Sequence, residues 1–194
     1  MPKEVPSKVD YSPELQRLLA RSAQINNYFG EDFDVSFSSL LLAFLASDDL
    51  VSQWFQAYVK RAGVDVGKIL EARKLNREIM EEITAAAPPA LQPLRMTTSA
   101  KRYARSAEEF REGLSEIGGV IPLDVRHLMA VFIYKPWVHE RDLAGWGFEQ
   151  KAWSIDFLEL MRSLHPKEMG FWSELHRRVF GERAEPPPGE IAEE

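Results

Sequence analysis

Between residues 12 and 29 the apolar positions Leu15, Leu18, Leu19, Ala23 and Ile25 recur near the 3.6-residue period of an α-helix, with Ser22 on the same face. Ser12 precedes that pattern as an N-cap, because its hydroxyl can accept from an otherwise orphaned backbone N–H, and Pro13 suits the first helical position, where no donor is needed. Gly30 is the expected stop. Residues 36–46 follow and end in the run Leu40 to Ala46, apolar on every side. Leu, Ala and Phe without β-branching favour a buried helix over a strand. A third helix is predicted over 50–61, with Gly63 as its C-cap. Val66 to Ala86 then reads as one long amphipathic helix carried by Ile69, Leu70, Ile79, Met80 and Ile83, and Pro88, Pro89 and Pro93 break it.

The second half runs through the same plan. Thr98 or Ser99 opens a helix that reaches about Ile117 and stops at Gly118 and Gly119. Leu123 to Tyr134 is a second buried helix, Val138 to Ala144 a short one, and Phe148 to Leu164 a long fourth. Pro166 precedes one extra helix, about Lys167 to Phe180, which Gly181 ends. Nothing in the pattern reads as a sheet, so the chain is all-α.

The parallel goes beyond spacing. Ala20-Arg21-Ser22-Ala23 returns as Ala104-Arg105-Ser106-Ala107, 84 residues later. Ser39 to Leu45 aligns with His127 to Ile133 at a distance of 88. Gly63-Val64-Asp65 aligns with Gly147-Phe148-Glu149, again at 84, each pair opening the long helix. Three landmarks in the same order indicate an internal duplication. The expected architecture is two tandem four-helix repeats, 12–87 and 96–164, related by a pseudo-two-fold axis, because each unit leaves an apolar face that the other can cover. Around them the pattern sets a flexible N-terminus at 1–11, the extra helix at 165–181, and an acidic, proline-rich tail or linker at 182–194.

A helix with Ala-x-x-Ala character, a loop, a His-Leu-Leu-like apolar helix and a Gly-Val-Asp opening a long helix, twice over, resembles the Clp N-terminal domain. His127-Leu128 and Gly63-Val64-Asp65 carry most of the resemblance, which covers residues 11–164. The chain departs from the family at Ser39, where a His is usual, and at Ala130 and Val131, which replace leucines. The resemblance implies a non-enzymatic module that binds proteins or peptides, as adaptor or substrate recruiter for an ATP-driven unfoldase. The alternative is a recruitment domain tethered to a separate effector, such as a protease or signalling enzyme. Some members of the family recognise phosphoarginine through a carboxylate just before the His of that apolar helix. The matching positions here are Ser38 and Arg126, one uncharged and one of the wrong sign to pair with a guanidinium. Binding in the family manner is therefore not expected, although Arg126 could attract a bare phosphate.

Composition narrows the chemistry. With no cysteine in 194 residues, disulfides, thiolate metal sites and cysteine nucleophiles are excluded, which suits a cytoplasmic protein. Apolar residues at 45% and charged residues at 28% are ordinary for a globular chain. The longest apolar run is seven residues, far below the ~20 that span a bilayer. The first residues, MPKEVPSKVDYS, lack the apolar core of a signal peptide. Of the net charge of −6, the tail carries five Glu against one Arg, which leaves the body nearly balanced. Without a basic excess, nucleic acid is not an expected partner, and Lys101, Arg102 and Arg105 read as a solvated helix face.

No phosphate-binding loop is present; Gly67-Lys68 stands alone, so the ATPase of a Clp protein is absent from these residues. His139-Glu140 begins a zinc motif that fails at Leu143, and no metal or cofactor is expected. No catalytic residue is assigned, though a dispersed Ser, His and Asp triad stays open. The candidate binding residues are Trp137, Trp146, His127, Arg126 and Ser38. Trp137 follows Pro136, and Trp146 lies between two glycines, so both read as loop aromatics of the kind favoured at binding hot spots. His127 opens a buried helix and can either touch a ligand or bond to backbone, the second reading being preferred. Of the other aromatics in the second half, Trp153, Phe171 and Trp172 read as core.

Overall fold

The computed structural model describes residues 10–28, 34–88, 90 and 95–181. Among the described residues the fold is all-helical, with two isolated backbone bridges and no strand. The predicted Gly30 stop, residues 89 and 91–94 between the two predicted repeats, and the acidic tail 182–194 lie outside the described residues.

The first half begins with α1 (Pro13–Asn26), capped as expected: the Leu15 N–H donates to the Ser12 hydroxyl at 3.1 Å. α2 (Phe37–Leu45) starts in a capping box in which Ser36 and Ser39 exchange backbone and hydroxyl bonds. It is buried almost throughout, and α1 packs along it. α3 (Leu50–Ala62) is capped by Asp49 and ends at Gly63 in the left-handed region.

The predicted long helix from Val66 to Ala86 is instead two helices, α4 (Val66–Glu71) and α5 (Arg77–Ala85). The Leu75 N–H returns to the Leu70 carbonyl at 3.0 Å, which closes α4 before it can propagate. Lys74 takes a φ of 56°, and Asn76 then caps the new start by accepting from the Ile79 N–H at 2.9 Å. The turn puts Leu75 into the core. Amphipathic periodicity continued across the break because α5 keeps its own apolar face, Met80 and Ile83.

The second half comprises α6 (Thr98–Gly118), α7 (Val125–Tyr134), a single 3-10 turn at Trp137–His139, α8 (Glu140–Trp146) and α9 (Gln150–Leu164). A 3-10 turn at Pro166–Glu168 leads into α10 (Met169–Phe180). α10 lies on α9 and α7, with Trp172 wholly buried against Phe157 and Phe110. Gly113 on α6 makes room for it, since a Cβ there would sit 2.7 Å from the Phe171 ring.

One apolar core runs through both halves. Phe44 of α2 meets Phe132 of α7 edge-on at 6.1 Å, and Phe55 of α3 stacks on Trp153 of α9 at 5.7 Å. The backbone bridges cross between the halves. Tyr11, before α1, pairs with Leu123, before α7; Val35, before α2, pairs with Met96, before α6. Asp10 and Tyr11, read from the sequence as part of a loose N-terminus, are thereby fixed, because the Leu123 N–H donates to the Asp10 carbonyl at 2.8 Å.

Candidate functional site

Two of the five candidate residues stand at opposite ends of one aromatic cluster at the junction of the halves. Pro136 stops α7, and the buried Tyr103 hydroxyl donates to the Pro136 carbonyl, which fixes the following turn. Trp137 then adopts a φ of 45°, a conformation that costs a non-glycine residue on the order of 1–3 kcal/mol. Its ring meets Tyr103 edge-on at 5.6 Å, and the Arg102 guanidinium stands 5.5 Å from the ring centroid. Phe37, at the start of α2, stacks on His139 at 4.0 Å with the rings parallel to within 1°, and on Trp146 at 5.9 Å. Trp137 and Trp146 therefore belong to one aromatic cluster through Tyr103, His139 and Phe37. It opens to solvent at Trp137, 37% exposed, and Val138, 70% exposed.

Trp146 is not a loop residue. It ends α8 and is half-buried, and its carbonyl accepts from the Asp65 N–H at 2.8 Å. Gly147 follows at φ 99°, a left-handed conformation that favours glycine and closes α8 beside the Val64 backbone. The glycines flanking Trp146 suggested a loop, whereas only Gly147 has a conformational task.

The other three candidates sit at helix starts. Asp124 caps α7, and its N–H donates back to His127 Nδ1 at 2.9 Å. His127 is wholly buried, and its Nε2 has no hydrogen-bond partner among the described residues. Burial first, then the Arg126 charge, drives its pKa down to about 3, so the ring stays neutral. The bond to backbone anticipated for His127 is present, and the ring does not reach solvent.

Arg126 is also enclosed, 6% exposed. It donates to both Glu168 oxygens, at 2.8 and 3.2 Å, and to Asp124. Trp172 Nε1 donates to Glu168 at 3.0 Å, and Ser12 to Asp124 at 2.8 Å. Burial alone would raise the Asp124 carboxyl, yet Ser12, Arg126 and the Val125 N–H together hold it below its ordinary value. Two carboxylates thus surround the guanidinium that the sequence left open to a bare phosphate. At the start of α2, Ser38 is half-buried with its hydroxyl 3.2 Å from that of Ser36, while Ser39 accepts from Ser22 at 3.1 Å. No charge stands among these serines.

Two features escaped the sequence. Ser154 lies 2.7 Å from both the Tyr134 hydroxyl and His176 Nδ1, a serine–histidine contact between residues 22 positions apart. Ser154 is wholly buried beneath α10, and burial raises the Tyr134 phenol. The second is an open cavity of about 710 Å³ between α3, α4 and α5, lined by Leu45, Val59, Val64, Val66, Leu70 and Met80. No sequence signal marked it beyond Asn76, whose capping tendency hints at a new helix start. Among the described residues, no three His, Asp or Glu converge as a metal site, and no helix is long and apolar enough to cross a membrane.

Comparison with known protein families, with curated proteins and with solved structures finds no match.

Proposed function

We propose that the chain is a non-catalytic, cytoplasmic protein- or peptide-binding module of the Clp N-terminal kind, an adaptor or substrate recruiter that needs no cofactor and works with an ATP-driven unfoldase. Two tandem four-helix repeats related by a pseudo-two-fold axis are part of this reading. The crossed bridges support it: the segment before the first helix of each half pairs with the segment before the second helix of the other. Both second helices also begin with a capping box at matching positions, Ser36 with Ser39 and Asp124 with His127.

The binding role rests on one observation, the exposed aromatic edge at Trp137. A tryptophan held at positive φ, beside the exposed Val138 and under the Arg102 guanidinium, is pre-set for contact before a partner arrives. Partners are read by apolar and aromatic contact. The test is binding of the whole chain to an array of short peptides from unfolded proteins, followed by affinities for the strongest binders. Trp137→Ala is expected to weaken them about thirtyfold, the effect of a hot spot worth about 2 kcal/mol, with the melting temperature preserved. Unchanged affinities, or an array that captures nothing, would sink the reading.

A further inference from the structure

We propose that the groove between α3, α4 and α5 seats an amphipathic helix from a protein partner, apolar on one face and acidic along its flanks. At about 710 Å³ it has the size of a ligand cleft, and its floor is formed by Leu45, Val59, Val64, Val66, Leu70 and Met80. Its walls are helices, which offer ridges and grooves to another helix and no unpaired backbone edge to an extended peptide. Lys60 on α3 and Arg77 on α5 are exposed lining residues, and neither has an ion-pair partner among the described residues. Glu81 is the one carboxylate in the lining. In a chain of net charge −6, a groove bordered by two unpaired cations favours acidic flanks.

The protein already contains a helix that does this work. α10 covers the end of α7 and the flank of α9, with His176 on Ser154 and Phe180 near Tyr134 at 6.1 Å. The groove lies at the end of α2 and on the flank of α4, at Leu45 and Leu70. Leu70 and Ser154 are separated by 84 residues, the spacing of the repeat. On the duplication reading, α10 closes on the second half the face that stands open on the first. This comparison alone rests on that reading; the lining and the charges do not.

The test uses the full 194-residue chain and a fluorescein-labelled synthetic helix, 18 residues long, with leucines along one face and glutamates along its flanks. Anisotropy is expected to show saturable micromolar binding. Replacing the glutamates by lysines, or interrupting the helix with proline, should weaken it at least tenfold. Thr84→Trp, which fills the groove from an exposed lining position, and the pair Lys60→Glu with Arg77→Glu should each do the same without changing the circular dichroism. The charge pair keeps the test decisive should Thr84→Trp fail to fold. Binding that ignores both flank charge and these variants overturns the proposal. So does uptake of sodium laurate with no peptide binding, which would make the groove a site for a small amphiphile. Peptide binding lost in Trp137→Ala but kept in the groove variants overturns this inference alone and leaves the module reading standing; that reading stands or falls on the peptide array.

Discussion

His127 shows how far one side chain can be read before its surroundings are known. Its position at the start of an apolar helix suggested a backbone bond, and the Asp124 N–H supplies it. Its second nitrogen, left without a partner in the core, could not be foreseen, because that depends on how α6 and α10 close over α7. The pH consequence follows from the sign of the shift. The folded pKa lies near 3 and the unfolded one near 6.5, so below pH 6.5 the unfolded chain takes a proton that the folded chain refuses. Stability is complete above pH 6.5 and falls as the pH drops toward 3, by about 2–3 kcal/mol at pH 4.5. Arg126, Arg111 and His165 oppose protonation and Asp124 favours it. The Asp124 carboxyl is held below its ordinary value by Ser12, Arg126 and the Val125 N–H, while His165 is lowered by burial and adds to the loss in the same direction. His127→Gln keeps an acceptor for the capping box. It is expected to flatten most of the decline between pH 6.5 and 4.5 in urea midpoints, and an undiminished decline would show that His127 is not its source.

At the scale of elements, the ends of helices were the legible part. Ser12, Gly63 and Gly181 mark the boundaries that the sequence assigned to them, since capping depends on a few neighbouring residues. The break between α4 and α5 was not legible. Lys74 is a good helix former, and nothing local demands that it turn left-handed; burial of Leu75 does, and that is a tertiary effect. Lys74→Gly separates the two descriptions. At φ 56° glycine relieves a left-handed penalty, so stability should rise by about 0.5–1 kcal/mol. Inside a continuous helix the same change would cost about 1 kcal/mol. Chemical denaturation with an unchanged m-value decides by its sign. The candidate site divided along the same line. Trp137 was visible as an aromatic after a proline, but the half-burial of Trp146 and the enclosure of Arg126 by Glu168 depend on elements packed from afar.

For the whole molecule the question is whether the halves are two domains or one. The repeat in sequence alone permits either. The packing favours one, because the residues that would have to be exposed on separation are the largest in the core. Phe44 and Phe55 of the first half rest on Phe132 and Trp153 of the second. Trp54 Nε1 donates to Asp156 at 2.8 Å, and Arg61 reaches both oxygens of the same carboxylate at 2.7 and 2.8 Å. The Asp65 N–H and the crossed bridges would also lose their partners. Each half alone, at about 90–100 residues, would present a broad apolar face to water and keep too little of its core to offset chain entropy. Cutting the chain between residues 90 and 91 should therefore give two fragments that are helical by circular dichroism yet melt without a cooperative transition. Mixed in equal amounts they should form a one-to-one complex whose melt is cooperative and rises with concentration, because association now carries the stability. A first fragment that melts cooperatively on its own, at the temperature of the intact chain, would mean that α1 to α5 close a core without help. The contacts between Phe55 and Trp153 would then be an interface between domains, and the two halves would be free to separate when a partner binds.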